Sequence, residues 1–292
     1  MKKSKASAIA GLLTGAVVWG LIWYPYRLVE QAGISAATAT LASYAVALLL
    51  ALAMFRDQLR GLLRADWLLL AIALSSGWTN LAYVLGMVHG EVMQVLLLFY
   101  LAPLWTVLFA RLLLNEHAGP VGLLIVLLSL VGAGMMLWTP GLRAPLPDTA
   151  AEWFGLSAGI TFALANVLIR KASGQSIRLK SIAVFAGVVL VASAVMPFEG
   201  HLPQPAALPA ATLALLAVLG VVLLMTNLAV QHGLTRVAAN QAIVILLFEL
   251  VVAALSAYVL AGETMRWNQW AGGGLIVAAT LLSGRLSEHA TA

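Results

Sequence analysis

The chain contains no cysteine, which excludes disulfides, thiolate metal sites and a cysteine nucleophile. It is also poor in charge. Asp, Glu, Lys and Arg make up 9% of its 292 residues, whereas a soluble domain carries about 25% because its surface must face water. The only aspartates are Asp57, Asp66 and Asp148, all between apolar runs, and no Asp-rich, His-Glu-x-x-His or Gly-x-Ser-x-Gly motif occurs. These absences argue against a membrane-embedded enzyme. With no phosphate loop and no metal-ligand cluster in the sequence, neither a cofactor nor a metal is expected.

What is present is apolar. Hydrophobic residues make up 62% of the chain, and the mean hydropathy is +1.00. A bilayer core about 30 Å thick takes about 20 apolar residues per helix. Apolar runs bounded by charge, Gly or Pro fall at about 8–28, 36–55, 67–87, 92–113, 119–138, 152–171, 179–197, 210–232, 237–261 and 267–285. The expected class is therefore all-α integral membrane, with ten transmembrane helices. Lys2, Lys3 and Lys5 ahead of an apolar run resemble a signal peptide. The run from Ala8 to Leu28 is long enough to span and has no small-residue cleavage site, so it reads as a retained first helix.

The net charge of +5 does not point to nucleic acid, because the basic residues are sorted by side. With the N-terminus in the cytoplasm, thirteen of the sixteen Lys and Arg fall in cytoplasmic segments. Only Arg27, Arg143 and Arg266 fall outside, a strong positive-inside bias. Trp138, Trp153, Trp267 and Trp270 then line the outer interface and Trp67 the inner one, as an aromatic belt.

The two halves resemble each other. At an offset of 147, Asn80, Gly86, Gln94 and Glu116 match Asn227, Gly233, Gln241 and Glu263; at 144, Gly11 and Gly15 match Gly155 and Gly159. Leu and Ala identities are cheap in such a chain, but shared Asn, Gln, Gly and Glu are not. The expected units are 1–138, an outer loop at 139–151, and 152–292. Five helices per unit make the second unit inverted relative to the first. Inverted repeats place a site at their interface and let it open to either side in turn, so the reading is a secondary transporter for a small-molecule substrate. A channel or a structural subunit would not need two polar half-sites related by inversion.

Ten helices as five plus five, Leu-Asn-Glu at 114–116 with Ala-Gly-Glu at 261–263, and Trp-Gly at 19–20 resemble the drug/metabolite transporter superfamily, in its ten-helix EamA type. Tyr-Leu-Ala-Pro-Leu-Trp-Thr-Val-Leu-Phe-Ala at 100–110 is similar to the fourth helix of the bacterial aromatic amino acid exporters. The resemblance implies a cavity enclosed by helices 1–4 and 6–9, with helices 5 and 10 outside. Together with the charge bias, the expected location is the bacterial inner membrane with both termini cytoplasmic. The second repeat departs at Leu250, where the first has Pro103, and at Glu249, where the first has Ala102.

Glu249 is the sharpest candidate, because a carboxylate at the middle of an expected helix is costly in a membrane. It could anchor a substrate cation or carry a proton. Gln241, about 80° round the helix, could line the same wall. Asn80, Asn227, Gln94 and Gln241 occur in both halves, which favours packing contacts over binding ones. Asn166, Gln231 and Asn240 have no polar mate across the repeat and are the better solute contacts. Trp19, Trp23, Trp78, Tyr83, Tyr100 and Trp105 all lie in the first half; they form either a packing stripe or a wall for a flat or cationic solute. Pro25 and Pro103 are candidate bending points for gating. Glu116 and Glu263 read as caps of the helices that follow them.

The best single expectation is export of aromatic or other apolar amino acids, with lipophilic cations or drugs as the alternative. A nucleotide-sugar carrier is disfavoured, since phosphate needs buried Lys or Arg and none is expected near a helix centre. The expected partners are the solute and the bilayer, with the chain monomeric or at most weakly dimeric. Reporters fused at Ala144 and Thr291 should read outside and inside respectively. Two reporters on one side would refute both the helix count and the inversion.

Overall fold

The computed structural model describes residues 2–58, 61, 66–90, 92–138, 146–195, 209–261 and 264–289. Among them are twelve α-helices and no strand. In the first half these are α1 (Lys2–Gln31), α2 (Ala36–Met54), α3 (Trp67–His89), α4 (Val92–Phe99), α5 (Ala102–Leu114) and α6 (Pro120–Leu137). In the second they are α7 (Ala150–Lys171), α8 (Ile177–Val195), α9 (Ala210–Arg236), α10 (Ala239–Leu246), α11 (Phe248–Ala261) and α12 (Trp267–His289). Eight stretches are long and apolar enough to cross a membrane, and Thr38–Met54 adds a shorter apolar helix. With α12 these make about ten crossings in a multi-pass membrane protein.

Twelve helices make ten crossings because two spans are interrupted. Tyr100 and Leu101 separate α4 from α5, and Leu247 separates α10 from α11. The ninth crossing was expected to be one helix with Glu249 at its middle. Glu249 is instead the second residue of a new helix, where the partial positive charge of a helix N-terminus favours a carboxylate. At the first break Pro103, near the start of α5, brings no backbone N–H, so it fits a first turn and not a helix interior. The second break lies at the matching repeat position but has no Pro or Gly to cause it. Both close in the same way, with Leu104 N donating to Leu101 O at 2.9 Å and Leu250 N donating to Leu247 O at 3.1 Å. Such three-residue turns satisfy backbone groups that hydrocarbon would leave unpaired. Pro25, by contrast, sits inside α1, which runs unbroken from Lys2 to Gln31.

Local chemistry sets several helix starts. Ser35, Asp66 and Thr149 accept from Thr38 N, Leu69 N and Glu152 N at the heads of α2, α3 and α7, as N-cap side chains do. α5 ends on Asn115 at φ 55°, a left-handed position that Asn tolerates. Glu116 does not cap the helix that follows it. Its Oε2 accepts from Ala239 N at 3.0 Å, at the head of α10 in the other half. Glu263 lies outside the described residues.

The packing obeys an exchange of halves. α3 packs on α7 and α8, while α9 packs on α1 and α2. The broken pair α4/α5 packs on α7, and α10/α11 on α1. The pairs α6 with α12 and α2 with α8 map onto themselves. Glycines bring these helices together: Gly132 faces the backbone oxygen of Gly272 and Gly272 that of Gly132, while Gly77 and Gly187 meet between α3 and α8. Apolar side chains such as Leu49, Leu112, Val259 and Leu281 are left facing outward, as a lipid-covered surface requires. Trp67, Trp138, Trp153, Trp267 and Trp270 are exposed at or beside helix ends.

A Cβ at Gly187 would collide with the Ala73 backbone oxygen, whereas one at Gly134 would meet open space. Gly187→Ala is therefore expected to lower stability by about 1–3 kcal/mol, the usual range for overpacking. Gly134→Ala should be neutral or slightly stabilising. Thermal unfolding in detergent checks both, and equal effects would contradict this packing.

Candidate functional site

The two breaks face each other across the halves. Tyr100, at the α4/α5 break, donates its hydroxyl to Glu249 Oε1 at 2.6 Å. Around the pair, Phe99 stacks edge-on to Tyr83 and to Tyr100, each at 5.1 Å between ring centroids. Phe162 of α7 lies 5.5 Å from Phe99 and 6.4 Å from Trp19. A cavity of about 10 Å³ sits here, lined by Tyr100, Pro103, Phe162, Leu247 and Glu249 among others. That is about the room one water needs. Among the described residues, no Lys, Arg or His lines it. The arrangement can offer one carboxylate inside an aromatic and aliphatic wall.

The expected aromatic residues divide into two groups. Trp19, Tyr83 and Tyr100 join this cluster. Trp23 instead donates to Ser256 Oγ at 2.9 Å, tying α1 to α11. Trp78 is exposed and donates to Ser157 Oγ at 3.2 Å. Trp105 packs in a separate cluster with Ile125, Val126 and Ile243. Phe99 and Phe162 also belong to the cluster, although no sequence motif marks them. Phe162, about one helical turn from Asn166, was the available signal.

The amides divide as well. Asn80 is held structurally: Tyr44 donates to its Oδ1 at 3.0 Å, and its Nδ2 donates to Ser76 O. Its mate Asn227 has a buried Oδ1 with no partner. Gln241 Nε2 donates to Ser283 O on α12 at 2.7 Å, so it is not brought together with Glu249. Asn166 and Gln231 are 7% and 1% exposed. The Asn166 Nδ2, both Gln231 amide atoms and the Asn240 Oδ1 have no hydrogen-bond partner among the described residues. A buried polar group without a partner costs about 1–3 kcal/mol.

These amides lie under a polar seal at one end of the bundle. Arg170 Nε donates to Glu116 Oε1 at 2.5 Å, and Arg170 Nη1 donates to Thr235 O at 3.3 Å. Lys180 Nζ donates to Ile169 O at 3.1 Å and to Thr235 Oγ1 at 2.7 Å. Lys180, near the start of α8, is fully buried. The seal joins the end of α5, in the first half, to α7, α8, α9 and the head of α10, in the second.

The sequence profile of the EamA-like transporter family matches residues 6–138 and again 149–285. The chain belongs to the EamA-like transporter family. Two matches, one to each half, agree with the exchange symmetry of the packing. A protein of Archaeoglobus fulgidus described as an uncharacterized transporter is 28% identical over 229 residues, covering 78% of this chain and 80% of that one. A protein of known crystal structure has the same fold, with a TM-score of 0.77 at 16% identity over 97% of this chain and 99% of the other. Membership in the EamA-like family and the transporter relative point to transport rather than catalysis.

Tyr100→Phe keeps the ring and removes the donor. It should cost about 1 kcal/mol of stability, and nothing in a Glu249→Leu background, where the acceptor is gone. Equal costs in both backgrounds, read from unfolding in detergent, would show the two side chains uncoupled.

Proposed function

We propose that this EamA-family transporter exports small amphipathic solutes carrying an amine, with aromatic or other apolar amino acids the first choice. The observation that carries the reading is the Tyr100–Glu249 pair, set in an aromatic wall with no cation among the described residues lining the same cavity. An ammonium group suits the Glu249 carboxylate, which lines the cavity. A flat apolar side chain suits Phe99, Phe162 and Trp19, where cation–π contact adds about 0.5–2 kcal/mol per ring. Lipophilic cations offer the same two features and are the second reading. Stacking selects a class of solute more than one member, so broad specificity and modest affinity follow.

A cavity of about 10 Å³ cannot hold such a solute, so binding needs the half-helices at the two breaks to move apart. Interrupted helices at the repeat interface suit alternating access, with the site opening to one side at a time. On the positive-inside bias, the end that carries Arg170, Lys180 and Arg236 is cytoplasmic. Both termini then lie in the cytoplasm, with the protein in the plasma membrane. The basic-end seal then closes the inner route, and Pro103, lining the cavity beside the first break, is a suitable hinge.

Two measurements in proteoliposomes test this. Phenylalanine, tryptophan and a flat organic cation should inhibit one another's uptake; competition only by sugar phosphates or dicarboxylates would refute the reading. Glu249→Gln should insert and fold normally but reduce flux of these solutes by about tenfold or more, the scale of one lost charged hydrogen bond. Wild-type flux at every pH would assign Glu249 to packing.

A further inference from the structure

We propose that Asn166 and Gln231, backed by Lys180, form a second station that receives the carboxylate of the solute whose ammonium sits on Glu249. The substrate class then narrows to zwitterions, and the proposal rests on the Glu249 reading above.

The argument is one of register. α7 and α9 both end at the seal, where Arg170 Nη1 touches Thr235 O, so they run side by side in the same direction. Asn166 is one turn before Arg170, and Gln231 one turn before Thr235. Both amides therefore lie about 6 Å from the seal, on the side of the bundle middle. Helix side chains lean toward the N-terminus of their own helix, which on both helices is toward the Glu249 cavity. Phe162, which lines that cavity, is one further turn along the same face of α7. The amides thus form the layer between the carboxylate and the seal.

Their chemistry is that of an unfilled site. Asn166 Nδ2 and Gln231 Nε2 are buried donors with no acceptor among the described residues. Behind them Lys180 is fully buried, and its Nζ is held by a carbonyl and a hydroxyl, with no carboxylate partner among the described residues. Thr235 Oγ1 joins the two, donating to Gln231 O at 2.6 Å and accepting from Lys180. Two free N–H donors with a cation one turn behind suit an anionic oxygen. The Glu249 cavity offers the opposite pole. An amino acid carries groups complementary to both stations on one carbon; an amine without a carboxylate fills only one.

The test compares phenylalanine with phenethylamine, which lacks the carboxylate, by direct binding to the purified protein. The variants are Gln231→Met and Asn166→Leu, close in size and unable to hydrogen-bond. Each should weaken phenylalanine binding by about tenfold or more and leave phenethylamine within about twofold of wild type. The unliganded variants should melt no lower than wild type, because replacing an unpaired buried amide by an apolar group removes a cost. Equal loss for both ligands, no loss for phenylalanine, or a fall in melting temperature would each overturn the station. Wild-type binding of phenethylamine without phenylalanine would overturn it while sparing the Glu249 reading. Binding of neither ligand would sink that reading and this one with it.

Discussion

Hydrocarbon supplies no hydrogen bonds, so any backbone that leaves a helix inside the membrane must find partners in protein. Both interruptions of this chain meet that condition in the same way. Each closes with a three-residue turn, and each is covered by the other half of the molecule. Tyr100 stands at one break and reaches Glu249 beside the other. Burying irregular backbone forces the two breaks into the centre, and the centre is then the one place where a carboxylate, an aromatic wall and free backbone geometry coincide. The close glycine contacts of α3 with α8 and of α6 with α12 hold the surrounding frame at the short distances this cover requires.

The crossings were legible because length and hydropathy are governed by bilayer thickness alone. The duplication was legible because Asn, Gln, Gly and Glu recur at fixed offsets in a chain where such residues are scarce. The second break was not legible. Nothing between Ala239 and Ala261 disfavours a continuous helix, and only tertiary cover distinguishes Leu247 from its neighbours. Glu249 stood out for the cost of a carboxylate in a membrane, and its place at a helix start depends on that unseen break.

Side-chain direction was the other blind spot. Trp23 and Trp78 are as aromatic as Trp19, yet their indoles tie neighbouring helices through Ser256 and Ser157, which no spacing argument separates from a cavity wall. Gln241 was placed beside Glu249 by assuming one straight helix; the break resets that geometry, and its amide goes to Ser283. The same shift of frame explains Glu116. It has no role in the helix that follows, because its carboxylate spans from the first half to Arg170 and Ala239 in the second.

Packing that maps onto itself when the halves are exchanged carries an energetic consequence. If the halves were identical, any arrangement and its exchanged counterpart would be degenerate, and the chain would populate both equally. Each residue without a counterpart lifts that degeneracy. Glu249 faces Ala102 across the repeat, Tyr100 faces Leu247, and Pro103 faces Leu250. These three odd pairs lie at the breaks, so the side chains that give the centre its chemistry also contribute to the preference between the two forms. A substitution there changes resting population and binding together, while in the symmetric frame only the same change made in both halves leaves the ratio of the two forms alone.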